Sequence, residues 1–211
     1  MKKIVVIPAV LAIAFGLLAF GGKKHQCPAE GKPNPKRGRK AKLRPREMEL
    51  NQHKNRAVMP QPSDFDNSVT IMGMYNSQDD SIYSGNKAAT ITGYLYRALP
   101  NGMESCNCYT KDKSKYSINL YISPTPIGKD TRPADCIVAV VTPYSRTIDS
   151  NWTAEKISEK MGGQKVTVSG WLIYDYLHQD VSIETNPNCE EPERRTIWGI
   201  CPMTGLKLIK Q

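Results

Sequence analysis

Residues 136–175 read CIVAVVTPYS RTIDSNWTAE KISEKMGGQK VTVSGWLIYD. They hold a strand, a helix and a strand, in that order. Cys136 to Val141 is an apolar, largely β-branched run ended by Thr142-Pro143, which suits a strand buried on both faces. Ala154 to Met161 carries good helix formers and is stopped by Gly162-Gly163. Asn151 is the expected cap, because Thr153 with Lys156 does not complete a capping box. Lys165 to Asp175 is the longest clear strand of the chain.

Working outward, Ala89 to Leu99 alternates and carries Ile91, Tyr94, Leu95 and Tyr96. Tyr116 to Ser123 places Ile118, Leu120 and Ile122 on one face and Ser117, Asn119 and Tyr121 on the other. Arg194 to Ile209 gives one or two further strands, interrupted near Pro202, while Ser68 to Tyr83 reads equally as a short helix or an irregular strand. The order is three strands, a helix and the remaining strands. It predicts a mainly β domain over residues 64–211, a five-stranded OB-like Greek-key barrel with its helix between strands 3 and 4. Such barrels serve nucleic acid, oligosaccharide and protein ligands alike, so the fold alone does not give the function.

The charge lies elsewhere. Residues 23–56 hold twelve Lys or Arg against three Glu, a net charge of +9 that equals that of the whole chain. Residues 57–211 carry 15 basic and 17 acidic residues. A pI of about 9.2 therefore describes this segment and not the domain. Six prolines between Pro28 and Pro62 and a weak apolar pattern predict a disordered basic linker over 23–63. Its attraction would be to anionic lipid or an anionic envelope polymer, with nucleic acid as the other polyanion. A solvated spacer is the plain alternative.

Met1-Lys2-Lys3 followed by the uncharged run Ile4 to Gly22 has the form of a secretory signal or an N-terminal membrane anchor, here residues 1–22. Its 19 residues would extend about 28 Å as a helix, just enough to span a bilayer. The expected location is periplasmic or otherwise extracytoplasmic. Six cysteines suit an oxidising compartment.

Several stretches carry a resemblance: Lys87 to Thr90 with Gly93-Tyr94, ESCNCY at 104–109, Thr142-Pro143, GWLIYDYLH at 170–178, Asn186-Pro187 and TIWGICPMT at 196–204. In this order they resemble a group of uncharacterised bacterial exported proteins with OB-type domains. The resemblance implies export and the barrel, and no activity. Tyr109, Gly199 and Cys201 stand where that group tends to have His, Glu and His.

Candidate chemistry is sparse. Cys106 and Cys108 form a Cys-x-Cys unit whose side chains, in extended chain, would point the same way about 7 Å apart. With His178 and Cys201 they would make a Cys3His metal set, although the spacing is not that of two close pairs. Disulfides or inert thiols are the favoured reading, with Cys108–Cys201 the first pair to test and Cys27 able to take up the odd cysteine. Glu104 with His178 would be a general acid and base, and Ser105 and Ser169 lack a nucleophile-elbow context. Tyr94, Tyr96, Tyr174 and Tyr176 would offer stacking faces on the barrel, with Glu104 and Asn107 as polar neighbours. The expectation is a non-catalytic binding module without a cofactor. Its alternatives are a single-stranded nucleic-acid binder and a metal-dependent hydrolase.

Overall fold

The structure, a computed structural model, describes residues 27–77 and 81–210. The apolar stretch of residues 4–22 lies outside them. Among the described residues no helix is long and apolar enough to cross a membrane.

Five strands close a barrel: β1 (Ala88–Pro100), β2 (Ile118–Ser123), β3 (Ile137–Val141), β4 (Lys165–Tyr174) and β5 (Trp198–Leu208). Their order around the barrel is β1-β2-β3-β5-β4, closed by the antiparallel pairing of β1 with β4. Among the five barrel strands β3 and β5 form the parallel pair, with Val138 opposite Gly199 and Ala139 opposite Ile200. This is the OB-type arrangement expected from the strand and helix order. The last segment differs in one respect: it is a single strand running through Pro202, whose peptide bond with Cys201 is cis. Register shifts around Gly170 on the facing β4 take up the irregularity, and a Cβ on Gly170 would lie 2.4 Å from the Pro202 carbonyl oxygen.

Inward residues alternate as the strand period requires. Ile91, Leu95, Leu120, Ile122, Ile137, Val141, Val166, Val168, Leu172, Ile200 and Met203 form one core. Helix α4 (Ala154–Met161) adds Ile157 to it, and Trp152 joins from the preceding turn. Its N-cap is Thr153, whose hydroxyl accepts from the Lys156 N–H; Asn151, expected to cap, accepts instead from the Lys156 ammonium. The ambiguous stretch resolves as a short helix, α2 (Ile71–Tyr75), which brings Ile71 and Met74 to the same core. A further short helix, α3 (Ser145–Ile148), follows β3.

The expected disordered linker is the main correction. From Cys27 onward it is folded on the barrel and carries helix α1 (Pro45–Lys54). Pro35, Pro45 and Pro62 each open a helical turn, where proline's fixed φ and missing N–H cost nothing. The prolines mark helix starts, not disorder. At the start of α1 the Glu47 carboxylate accepts both the Arg44 backbone N–H, at 2.8 Å, and the Arg44 guanidinium, at 3.3 Å. One face, Glu47, Leu50 and Asn51, is buried at the i, i+3, i+4 spacing. A disulfide between Cys27 and Cys108 closes the arrangement. The basic run therefore lies on the domain's surface as ordered structure.

Candidate functional site

The loop between β1 and β2, residues 101–117, contains the Cys-x-Cys unit. Its cysteines do not point together, because Ser105–Asn107 forms a 3-10 turn and Cys108 follows with φ 56°. The turn sends the two sulfurs apart. Cys108 reaches outward to Cys27, and Cys106 turns inward to donate to Glu104 Oε2 at 3.1 Å. The expected Cys108–Cys201 pair is thus replaced by Cys27–Cys108, leaving Cys106, Cys136, Cys189 and Cys201 as thiols. Asn107 is occupied in holding the turn: its Oδ1 accepts the Glu104 N–H and its amide donates to the Gly102 carbonyl.

The N-terminal segment is stitched to this loop. Lys32 N–H donates to the Ser105 carbonyl, and Gly31 sits at φ +73° where a Cβ would be 2.2 Å from that same oxygen. From α1, the Asn51 amide donates to the Glu30 carbonyl and accepts from the Ser105 hydroxyl. The Asn55 amide donates to the carbonyls of Ala29 and Cys106. Leu50 then packs on Ile173 of β4 and Cys201 of β5, with Val140 and Tyr176 beside them.

One turn after Leu50, Lys54 enters a polar pocket. The pocket is lined by Asn101, Glu104, Ser117, Asn119, Asp175, His178, Arg194 and Cys201, and holds a cavity of about 10 Å³, on the order of one water. Asp175 is its centre. Its Oδ2 lies 3.2 Å from Lys54 Nζ, 3.0 Å from His178 Nδ1 and 3.6 Å from Arg194 Nη1. Its Oδ1 is buried and makes no hydrogen bond to the described residues, and neither does Arg194 Nε. Side-chain exposures of 14% for Lys54, 8% for Asp175 and 5% for Arg194 make this an interior ion network.

Burial alone would neutralise these groups, and their mutual attraction prevents it. For Asp175 the desolvation penalty is outweighed by Lys54, by the adjacent His178 ring and by Arg194, so its carboxyl is held well below the ordinary range. For Lys54 burial is likewise outweighed by Asp175 and then Glu104, which keep the ammonium above the ordinary lysine range. The thiols behave oppositely. Burial, followed by the nearby Glu104, pushes Cys106 up to about 12, and burial pushes Cys201 up as well. Both are uncharged sulfurs at neutral pH, and neither is a ready nucleophile.

Of the residues singled out from sequence, Glu104, His178 and Cys201 meet in this pocket, with Cys106 at its edge. Cys108 does not, since its sulfur is bonded to Cys27. Among the described residues no group of three or more His, Cys, Asp or Glu is placed to hold a metal ion. Sequence reasoning missed Lys54, Asp175, Arg194 and the amides of Asn101 and Asn119. Asp175 had a signal: it is a lone carboxylate ending an apolar strand between two tyrosines.

The tyrosines do not form one platform. Tyr174 packs edge-on to Trp198 with centroids 5.1 Å apart, while Tyr176 belongs to the Leu50 cluster and lies beneath the Arg46 guanidinium at 4.1 Å. Their expected common face is lost because β4 ends at Tyr174 and a 3-10 segment begins at Tyr176. Tyr96 joins Tyr121, Cys136 and Val138 outside the barrel, under Arg97. Tyr94 faces the Lys165 ammonium at 5.9 Å. No family model matches the chain, and no curated protein matches it either.

Proposed function

We propose that this chain is an exported, non-catalytic interaction module of a bacterial cell envelope. In this reading residues 4–22 direct it to the membrane and the OB-type barrel binds a partner outside the cytoplasm. The observation that carries the reading is the Cys27–Cys108 bond, which ties the segment just after the apolar stretch to a barrel loop. A bond of this kind persists in an oxidising compartment. Cys27 follows Gly22 by five residues, about 17 Å of extended chain. That leash would hold the first loop of the barrel close to a membrane if residues 4–22 are retained there.

The basic stretch Lys32 to Arg46 fits the same picture. It carries eight Lys or Arg and no acidic residue, and most of it is exposed. Each such residue near an anionic surface contributes about 1 kcal/mol of attraction, in a salt-dependent manner. The non-catalytic part of the proposal rests on the site itself. Its Asp175 carboxylate is engaged by the Lys54 ammonium, the Arg194 guanidinium and the His178 ring, and its thiols are buried and protonated.

The test is fractionation of bacteria expressing the full chain, with rapid thiol trapping. The expected result is protein accessible to protease from outside the inner membrane, with Cys27 and Cys108 protected from alkylation. A cytosolic chain with both thiols reduced would end the proposal.

A further inference from the structure

OB-type barrels take ligands on the face of strands 2 and 3 and on the flanking loops, between strands 1 and 2 and between strands 4 and 5. Here those loops are residues 101–117 and 175–197, and α1 lies between them. It is held to the first by Asn51 and Asn55, and to the second by Lys54 on Asp175 and Arg46 over Tyr176. The cleft between these two loops, over β4 and β5, is filled by the chain's own helix.

That helix is a poor core element. Leu50 is the one apolar residue it buries, and Met48 stays exposed. Its hold combines Leu50 and Lys54 with the Asn51 and Asn55 hydrogen bonds, Arg46 over Tyr176 and the covalent staple at Cys27. The barrel side, by contrast, is a built receptor: an apolar seat of Ile173, Cys201 and Tyr176 beside a pocket in which Asp175 and Glu104 oppose Arg194. Asp175 is more than nine-tenths buried, and its Oδ1 accepts no hydrogen bond from any described residue. Removing Lys54 would take an ammonium away from a pocket lined by two carboxylates, Asp175 and Glu104.

We propose that this cleft is a binding site for a cationic peptide segment of a partner protein, one that presents an aliphatic side chain and a lysine a helical turn apart, and that α1 occupies it in cis as a stand-in. Leu50 mimics the aliphatic anchor and Lys54 the ligand's ammonium. The proposal rests on the barrel being a binding module and adds the ligand class. A tethered occupant competes at an effective concentration of about the millimolar range, so an external ligand binds measurably only when it is tighter or when α1 is weakened.

The test uses the full chain with Leu50→Ala and Lys54→Ala, which removes both anchoring side chains from the cleft, and a fluorescent peptide copying residues 43–56. Polarisation is expected to show binding at least ten-fold tighter than to the unaltered chain. Lys54→Met in the peptide, or Asp175→Asn in the protein, should each cost at least ten-fold. Binding that ignores both changes would remove the ligand class while leaving a binding module. Absence of peptide binding to a folded variant would remove the cleft altogether. Tighter binding of a dT20 oligonucleotide than of the peptide would overturn the proposal in favour of nucleic acid. Circular dichroism checks folding. Should the double variant unfold, Lys54→Ala alone, which retains the Leu50 contact, is read by the same criteria. Neither arm depends on where the cell sends the protein, so failure here is separable from failure of export.

Discussion

Asp175→Asn removes one charge at nearly constant shape, and its cost follows from the ion network. Three cationic or protonatable groups converge on Oδ2 within 3.6 Å, and the lysine and arginine side chains among them are 14% and 5% exposed. Deleting one partner of a buried pair leaves the others uncompensated, which typically costs about 3–5 kcal/mol. For a domain of this size each kcal/mol moves the melting temperature by about 2–4 °C, so the variant should melt roughly 6–20 °C lower at pH 7. The dependence on pH has a definite sign. The Asp175 carboxyl is depressed in the folded state, so its stabilisation is complete above the unfolded carboxyl's value of about 3.9 and is lost as pH falls below it. The gap between the two proteins should therefore narrow by about 1.4 kcal/mol for each pH unit below that point. Thermal unfolding followed by circular dichroism at pH 7, 5 and 3 measures both. A gap under 2 °C at pH 7, or one that widens on acidification, would refute the network as described.

Other outcomes follow from the same geometry. Replacing Cys27 and Cys108 by Ser opens a loop of sequence separation 81, worth about 4.5 kcal/mol in the chain-entropy account, and the loss is read as a lower melting temperature than that of the oxidised chain. Gly199→Ala places a Cβ 2.4 Å from the Val138 carbonyl oxygen, across the parallel β3–β5 pair; overpacking of this kind costs about 1–3 kcal/mol, measurable in urea. With an alkylating reagent at pH 8, Cys189 should react first, while Cys106 and Cys136, both buried and pushed up to about 12, should react on unfolding, as followed by mass spectrometry.

The barrel was legible because its strands obey a period of two and its helix has clear stops. β3, α4 and β4 fall where the 136–175 stretch places them. Three features were not legible, each for a physical reason. α1 was hidden because it buries a single leucine, so no apolar stripe announced it, and its charges suggested solvation. The divergence of Cys106 and Cys108 depends on a left-handed residue at Cys108, which nothing in an ESCNCY string encodes. The ion pocket draws Lys54, Glu104, Asp175 and Arg194 from four separated segments, a convergence that only the closed barrel creates. Glu104 and His178 pair by their chemistry in the sequence, whereas Asp175, which lines the same pocket, has no such partner in the string.

The central claim is that the N-terminal basic segment is part of the folded domain. Hydrogen exchange of the full oxidised chain at the amides of Met48 to Lys54 tests it most directly. The account predicts slowing by roughly a thousandfold relative to free peptide, an opening free energy of about 4 kcal/mol, with loss of that protection in Asp175→Asn. Exchange at the free-peptide rate in the unaltered chain would contradict it and return α1 to the status of a loose cationic arm.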